Sequence, residues 1–209
     1  VYTVRDRDSV PLLNENFVVI DLETTGAKAP PCRITEIGAY AIKNGSISDE
    51  FRTLVNPQMP IPPFITSLTG INDEMVRDAP LFGDIAEDLL SFIDDAVVVA
   101  HNAQFDMGFL DHEIGRVYED YRLGNPTLCT VKLSRRLLPQ VENHKLNTVA
   151  QHYSIDLVNH HRASDDARAT AEIFLNLIEE MSGIGIYDLG GANQLSKKKI
   201  NIKAKYQTQ

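Results

Sequence analysis

The segment HHRASDDA, residues 160 to 167, sets two histidines beside two aspartates at equal separations, His160 to Asp165 and His161 to Asp166. A histidine titrates near neutrality and can take a proton from water, while an aspartate can orient it or hold a cation. A second acidic pair, Asp21 and Glu23, lies in VVIDLETTG. Alternate residues of a strand share one face, about 6.6 Å apart. Two carboxylates on one face of an apolar strand repel each other and are costly to strip of water. A divalent cation between them removes both costs, and such oxygen ligands suit Mg²⁺ or Mn²⁺. The alternative is a strand end that emerges into water. Asp106, in AHNAQFDMGF, opens a helix, where an acid also complements the helix dipole. His101 and Asn102 stand at a strand end, where a polar pair can bond loop backbone.

The elements that must carry these groups are legible from their periods. FVVIDLE (17–23) reads as a buried strand and RITEIGAYAI (33–42) as a second. Asn44-Gly45 signals a hairpin into a third strand, SISDEFRTLV (46–55). PQMPIPPF (57–64) is an extended proline-rich loop, and ITSLTGI (65–71) a short helix stopped at Gly70. PLFGDIAEDLLSFI (80–93) and QFDMGFLDHEIGRV (104–117) read as helices on either side of a short buried strand, AVVVAHN (96–102). Two shorter helices follow at 131–139 and 145–153. A long amphipathic helix covers 163–181. Its apolar stripe is Ala163, Ala167, Thr170, Ala171, Phe174, Leu177, Ile178 and Met181, and its outward face is Asp165, Glu172, Asn176, Glu179 and Glu180. Asp166 borders the stripe and Asp165 projects with the solvated face. Strands with a hairpin followed by helices alternating with further strand predict an α/β domain with a mixed sheet. The expected organisation is a leader over 1–14, one domain over 15–182 and a flexible lysine-rich tail over 183–209.

Composition narrows the function. The 209 residues carry a net charge of −9, and five lysines (Lys197, Lys198, Lys199, Lys203, Lys205) lie in the tail, so the rest is more acidic still. Such a body is no general nucleic-acid coat, because phosphate binding by mass electrostatics needs Lys and Arg. If it handles phosphates, bound divalent metal must neutralise them locally. Only Cys32 and Cys129 are present, without ligand spacing, which predicts free thiols in a reducing cytoplasm. No apolar run approaches a membrane span and no secretory signal opens the chain. It begins with Val, which reads as a processed chain or a piece of a longer one.

Together, DLE at 21–23 followed by Thr24-Thr25-Gly26, HNAQFD at 101–106 and HRASDD at 161–166 resemble the three motifs of the DnaQ-like exonucleases, the DEDDh group of the ribonuclease-H-like fold. The resemblance covers roughly residues 15 to 182 and selects the register of the opening segment. His161 has alanine two residues on, as the His-x-Ala-x-x-Asp motif requires, whereas His160 meets Arg162 there. It implies a mixed central sheet flanked by helices and two Mg²⁺ or Mn²⁺ ions. Asp21, Glu23 and Asp166 would hold one ion. Asp21 would reach the second, with Asp106 helping directly or through water, and His161 would be the general base. Thr24, Thr25, Leu68, Thr69, Ile71 and Phe105 would meet the terminal nucleotide. The implied activity is 3′–5′ exonuclease action on the single-stranded or frayed end of DNA. SLTGIND (67–73) and the overall layout look closest to the proofreading branch that serves bacterial DNA polymerase III, which would make a polymerase the partner. RNA trimming of the ribonuclease T or oligoribonuclease type, and a non-catalytic module that binds nucleic acid or a polymerase, stay open.

Overall fold

A computed structural model describes residues 7 to 197 of the chain. Five strands form one mixed sheet in the order β3-β2-β1-β4-β5. They are β1 (Phe17–Thr24), β2 (Ile34–Lys43), β3 (Ser46–Leu54), β4 (Val97–Ala100) and β5 (Thr127–Cys129). β1 runs antiparallel to β2 and parallel to β4. The β2–β3 hairpin turns at Asn44 and Gly45, both at positive φ (51° and 72°), the geometry that Asn-Gly accepts at least cost. The helices are α1 (Pro63–Thr69), α2 (Asp73–Arg77), α3 (Phe82–Ile93), α4 (Ala103–Val117), α5 (Thr130–Leu137), α6 (Leu146–His152), α7 (Ala163–Gly183) and α8 (Leu189–Lys197).

Alternation along β1 divides the interior into two cores. Val18, Ile20 and Leu22 pack with α3 and α4 on one face. Phe17 and Val19 pack with α5, α6 and α7 on the other, where the Phe17 and Phe174 rings meet edge-on at 4.8 Å. Asp21 and Glu23 continue this second face and so look toward α7. Every residue of the expected α7 stripe is buried. α1 and α2 cover a small separate core of Ile61, Ile65, Ile71 and Val76.

Both ends of the expected domain need correction. Leu12, assigned to the leader, is buried in the α7-side core, and its backbone N–H donates to the Tyr187 carbonyl at 2.8 Å. Residues 189–197, assigned to a flexible tail, form α8, which buries Leu189, Ala192 and Leu195 in the same core. The apolar positions recur every third residue, but Gly190 and Gly191 depress helix propensity enough to hide the pattern. The Asp188 carboxylate compensates by accepting from the Gly191 N–H at 2.7 Å, as an N-cap does. Packing therefore reaches from Leu12 to Leu195 among the described residues. Lys197 ends α8, and the other four tail lysines lie outside the described residues. β5 and α2, of three and five residues, were too short to show a period. No helix among the described residues is long and apolar enough to cross a membrane.

Candidate active site

The C-terminal end of β1 brings Asp21 and Glu23 to the mouth of the sheet. Pairing with β2 sets Asp21 opposite Gly38 and Glu23 opposite Glu36, and a register irregularity follows between Glu23 and Thr24, which pairs with Ile34. Asp106 arrives from the first turn of α4, which starts after Asn102 in a left-handed conformation at φ 78°. Its carboxylate accepts the Leu22 N–H at 3.2 Å, so α4 is tied to β1 between the two strand acids. Asp166 enters from the first turn of α7, 4% exposed. Oxygen atoms of Asp21, Glu23 and Asp166 lie within 4.8 Å of one another.

Burial and the neighbouring Asp106, Glu23 and Asp166 charges hold the Asp21 carboxyl well above the usual range. Burial, then Asp166 and Glu36, push Glu23 up to about 9. Burial lifts Asp106 to about 8 despite its backbone hydrogen bonds, and raises Asp166 as well. Desolvated acids with no cation among them take up protons instead. A divalent cation of oxygen preference would let them ionise together, so the donor set fits Mg²⁺ or Mn²⁺.

HHRASDDA is resolved with one surprise. Asp165 is half-buried and accepts from the Asn159 amide at 3.2 Å, away from the acids. Asp166 faces them, as the helix stripe predicts. Its two oxygens, however, meet different histidines. The His160 ring reaches Oδ1 through Nδ1 at 3.0 Å, whereas His161 donates its backbone N–H to Oδ2 at 3.1 Å. The two rings stack with centroids 3.8 Å apart, and His161 sits at φ 72°. A non-glycine residue in that region is strained and needs its surroundings to hold it there. Burial and the neighbouring His160 lower the His161 pKa.

The six expected substrate contacts separate by exposure. Leu68 presents its side chain at 51% exposure, and Phe105 is half-buried against Phe109 at 4.9 Å, beside a cavity of about 400 Å³ lined by Lys28, Asn102 and Gln104. Thr24, Thr25, Thr69 and Ile71 are turned inward instead. The Thr24 hydroxyl donates to the Gly26 carbonyl, and that of Thr25 accepts the Arg33 N–H. The Thr69 hydroxyl donates to the Ile65 carbonyl and accepts the Ile71 N–H, while Ile71 fills the small core. His101 serves the loop as expected. Its Nε2 lies 2.8 Å from the His144 carbonyl, which can only accept, so Nδ1 accepts from the Thr130 hydroxyl.

Sequence reasoning passed over Glu36, Gly38 and Arg162, which stand immediately beside the acids. The signal was one acid and one glycine inside the strand ITEIGAYAIK, which is buried at every position before Lys43. It also passed over Phe64, 68% exposed and one helical turn before Leu68 on α1.

The RNase_T family of exonucleases matches residues 18–174. The chain is 43% identical over 197 residues, 94% of its length, to the DNA polymerase III PolC-type of Caldanaerobacter subterraneus, and 41% identical over 175 residues, 84%, to that of Bacillus subtilis. It spans only 14% and 12% of those relatives. A putative bifunctional exonuclease/endonuclease protein of Mycobacterium tuberculosis is 42% identical over 86% of the chain and 29% of that protein. Among solved structures, exonuclease X in complex with 5′-overhanging duplex DNA superposes with a TM-score of 0.68 at 25% identity, covering 86% of this chain and 99% of that one. Escherichia coli exonuclease I with a dT13 oligonucleotide gives 0.72 at 16% identity, covering 81% and 42% and thus sharing the fold.

Proposed function

We propose that this chain, which belongs to the exonuclease family, removes nucleotides from the 3′ end of single-stranded or frayed DNA as nucleoside 5′-monophosphates, in the manner of a polymerase III proofreading exonuclease. The observation that carries the reading is the convergence of Asp21, Glu23 and Asp166, whose oxygens lie within 4.8 Å of one another, with Asp106 tied to the Leu22 N–H between the two strand acids. Asp21, Glu23 and Asp166 would hold one Mg²⁺ or Mn²⁺, and Asp21 with Asp106 the other. When bound, two such ions supply positive charge that acidifies the attacking water and stabilises the leaving oxygen. His161 takes the proton from that water. Burial and the neighbouring His160 lower its pKa, which favours the neutral form that can accept a proton. Leu68 and Phe105 offer apolar faces on which terminal bases rest without sequence reading.

One contact favours a second assignment of the base. The His160 ring, not that of His161, touches Asp166. Replacing each histidine in turn decides between them. The function itself is tested with 5′-labelled DNA and RNA strands of one sequence, incubated with Mg²⁺. The expected result is a ladder shortening from the 3′ end, faster on DNA. Faster RNA shortening would move the protein to an RNA-trimming role, and intact strands of both kinds would leave only a binding module.

A further inference from the structure

We infer that Glu36, Gly38 and Arg162 form a positioning device that seats the first turn of α7, and with it Asp166 and His161, against the strand acids. The inference rests on the proposed role of those acids and of His161. It starts from one strand face. Glu36, Gly38 and Tyr40 are alternate residues of β2 and point the same way as their β1 partners Glu23, Asp21 and Val19. Between them the three meet three consecutive positions at the α7 start, 162 to 164.

Glu36 provides the tie. Both of its oxygens are taken by the Arg162 fork, Nη2 to Oε1 at 3.0 Å and Nε to Oε2 at 2.9 Å. Oε2 also accepts the Ala163 N–H at 3.2 Å. α7 has no side-chain cap of its own at Arg162, so a carboxylate from another element does that work. The parallel charged pair fixes orientation as well as distance.

Gly38 provides the closeness. A Cβ there would stand 2.5 Å from the Ser164 nitrogen and nearer still to the Ala163 carbonyl, so only glycine lets the helix settle over Asp21's strand partner. Tyr40 adds a hydroxyl contact to the Ser164 hydroxyl at 3.2 Å. Residues 162–164 are thus held from below, and the two groups assigned to the chemistry, 161 and 166, flank them.

The same contacts explain why Glu36 is no fifth metal ligand. It lies opposite Glu23 and is buried, yet both of its oxygens are engaged by the guanidinium, and Oε2 by the helix N–H as well. The device therefore removes a competing carboxylate while it sets the geometry of the others.

Four variants test it: Arg162→Leu, Arg162→Lys, the double Glu36→Gln/Arg162→Leu, and Gly38→Ala. Three quantities are read in each: thermal unfolding, Mn²⁺ affinity by calorimetry, and kcat and KM on a 5′-labelled strand. Groups that orient metal ligands typically cost about 10- to 100-fold when lost. Arg162→Leu should remain folded, lose about that factor in kcat and bind Mn²⁺ more weakly, with KM nearly unchanged. Arg162→Lys should recover part of the loss, because one charged hydrogen bond survives. The double variant should stay as slow as Arg162→Leu, since the tie is absent although the charge is balanced. Gly38→Ala, if it folds, should reproduce the same pattern with no charge altered. Recovery of wild-type kcat in the double variant would show that Arg162 only balances charge. A lower melting temperature with unchanged kcat and Mn²⁺ affinity would reduce the contacts to scaffolding. Either result overturns the inference. A wild-type protein that cuts no strand would instead sink the exonuclease reading, and the Mn²⁺ affinities would still test the device.

Discussion

Filling the acid cluster with a divalent cation should expel protons. Glu23 has a pKa of about 9 and Asp106 about 8, so at pH 7 both side chains are largely protonated. Ionising a group one pH unit below its pKa costs about 1.4 kcal/mol. On that scale the two together cost on the order of 4 kcal/mol at pH 7. The apparent Mn²⁺ affinity at pH 7 should then lie about 10³-fold below its value above pH 9. It should rise by up to about 100-fold per pH unit below pH 8, where two protons leave, and more slowly above. The sign also governs stability. A carboxyl group whose folded pKa is raised keeps a proton that the unfolded chain loses above about pH 4, so the metal-free protein weakens as pH rises toward 9. Calorimetric titration at pH 7 in Tris and in MOPS, which differ in ionisation enthalpy, counts the protons released. Identical enthalpies in the two buffers, with an affinity flat from pH 6.5 to 8.5, would refute the electrostatic argument.

Other outcomes follow from the same geometry. His161→Ala should slow hydrolysis by about 10² while Mn²⁺ still binds, His160→Ala should change it little, and the reverse order would assign the base to His160. Leu68→Ala should raise KM for the strand several-fold, whereas Thr69→Ala should leave KM alone and cost about 1 kcal/mol of stability in urea unfolding; equal effects on KM would contradict the observed burial. His101 is held neutral down to about pH 4 by burial, so its contribution is complete above about pH 6.5 and is lost as pH falls toward 4. The stability gap between wild type and His101→Gln should shrink by about 2 kcal/mol from pH 7 to pH 5; a gap independent of pH would mean His101 is not desolvated as described.

What the sequence disclosed followed from period. Strand alternation puts Asp21 and Glu23 on one face, and the helical stripe turns Asp166 inward and Asp165 outward. The packed ends escaped because two glycines masked the α8 stripe and a single leucine, Leu12, carried the N-terminal burial. Thr-Thr-Gly and Leu-Thr-Gly-Ile fall on turns whose internal bonds claim the hydroxyls of Thr24, Thr25 and Thr69, and no sequence period announces such bonds. The tie between Glu36 and Arg162 spans 126 positions and depends on β1–β2 register, which no local period encodes. Nor could spacing reveal that His160 would occupy Asp166, because that contact depends on the left-handed turn at His161.

The most direct test of the acid site is Asp21→Asn, a change of one oxygen at the residue assigned to both cations. Single-turnover hydrolysis of a 5′-labelled strand is followed with wild type and variant while Mg²⁺ is withdrawn by EDTA and restored. Wild type should stop with EDTA and resume with Mg²⁺, and the folded variant should stay inert throughout. Hydrolysis by wild type that persists in EDTA, or by Asp21→Asn at the wild-type rate, would contradict the account.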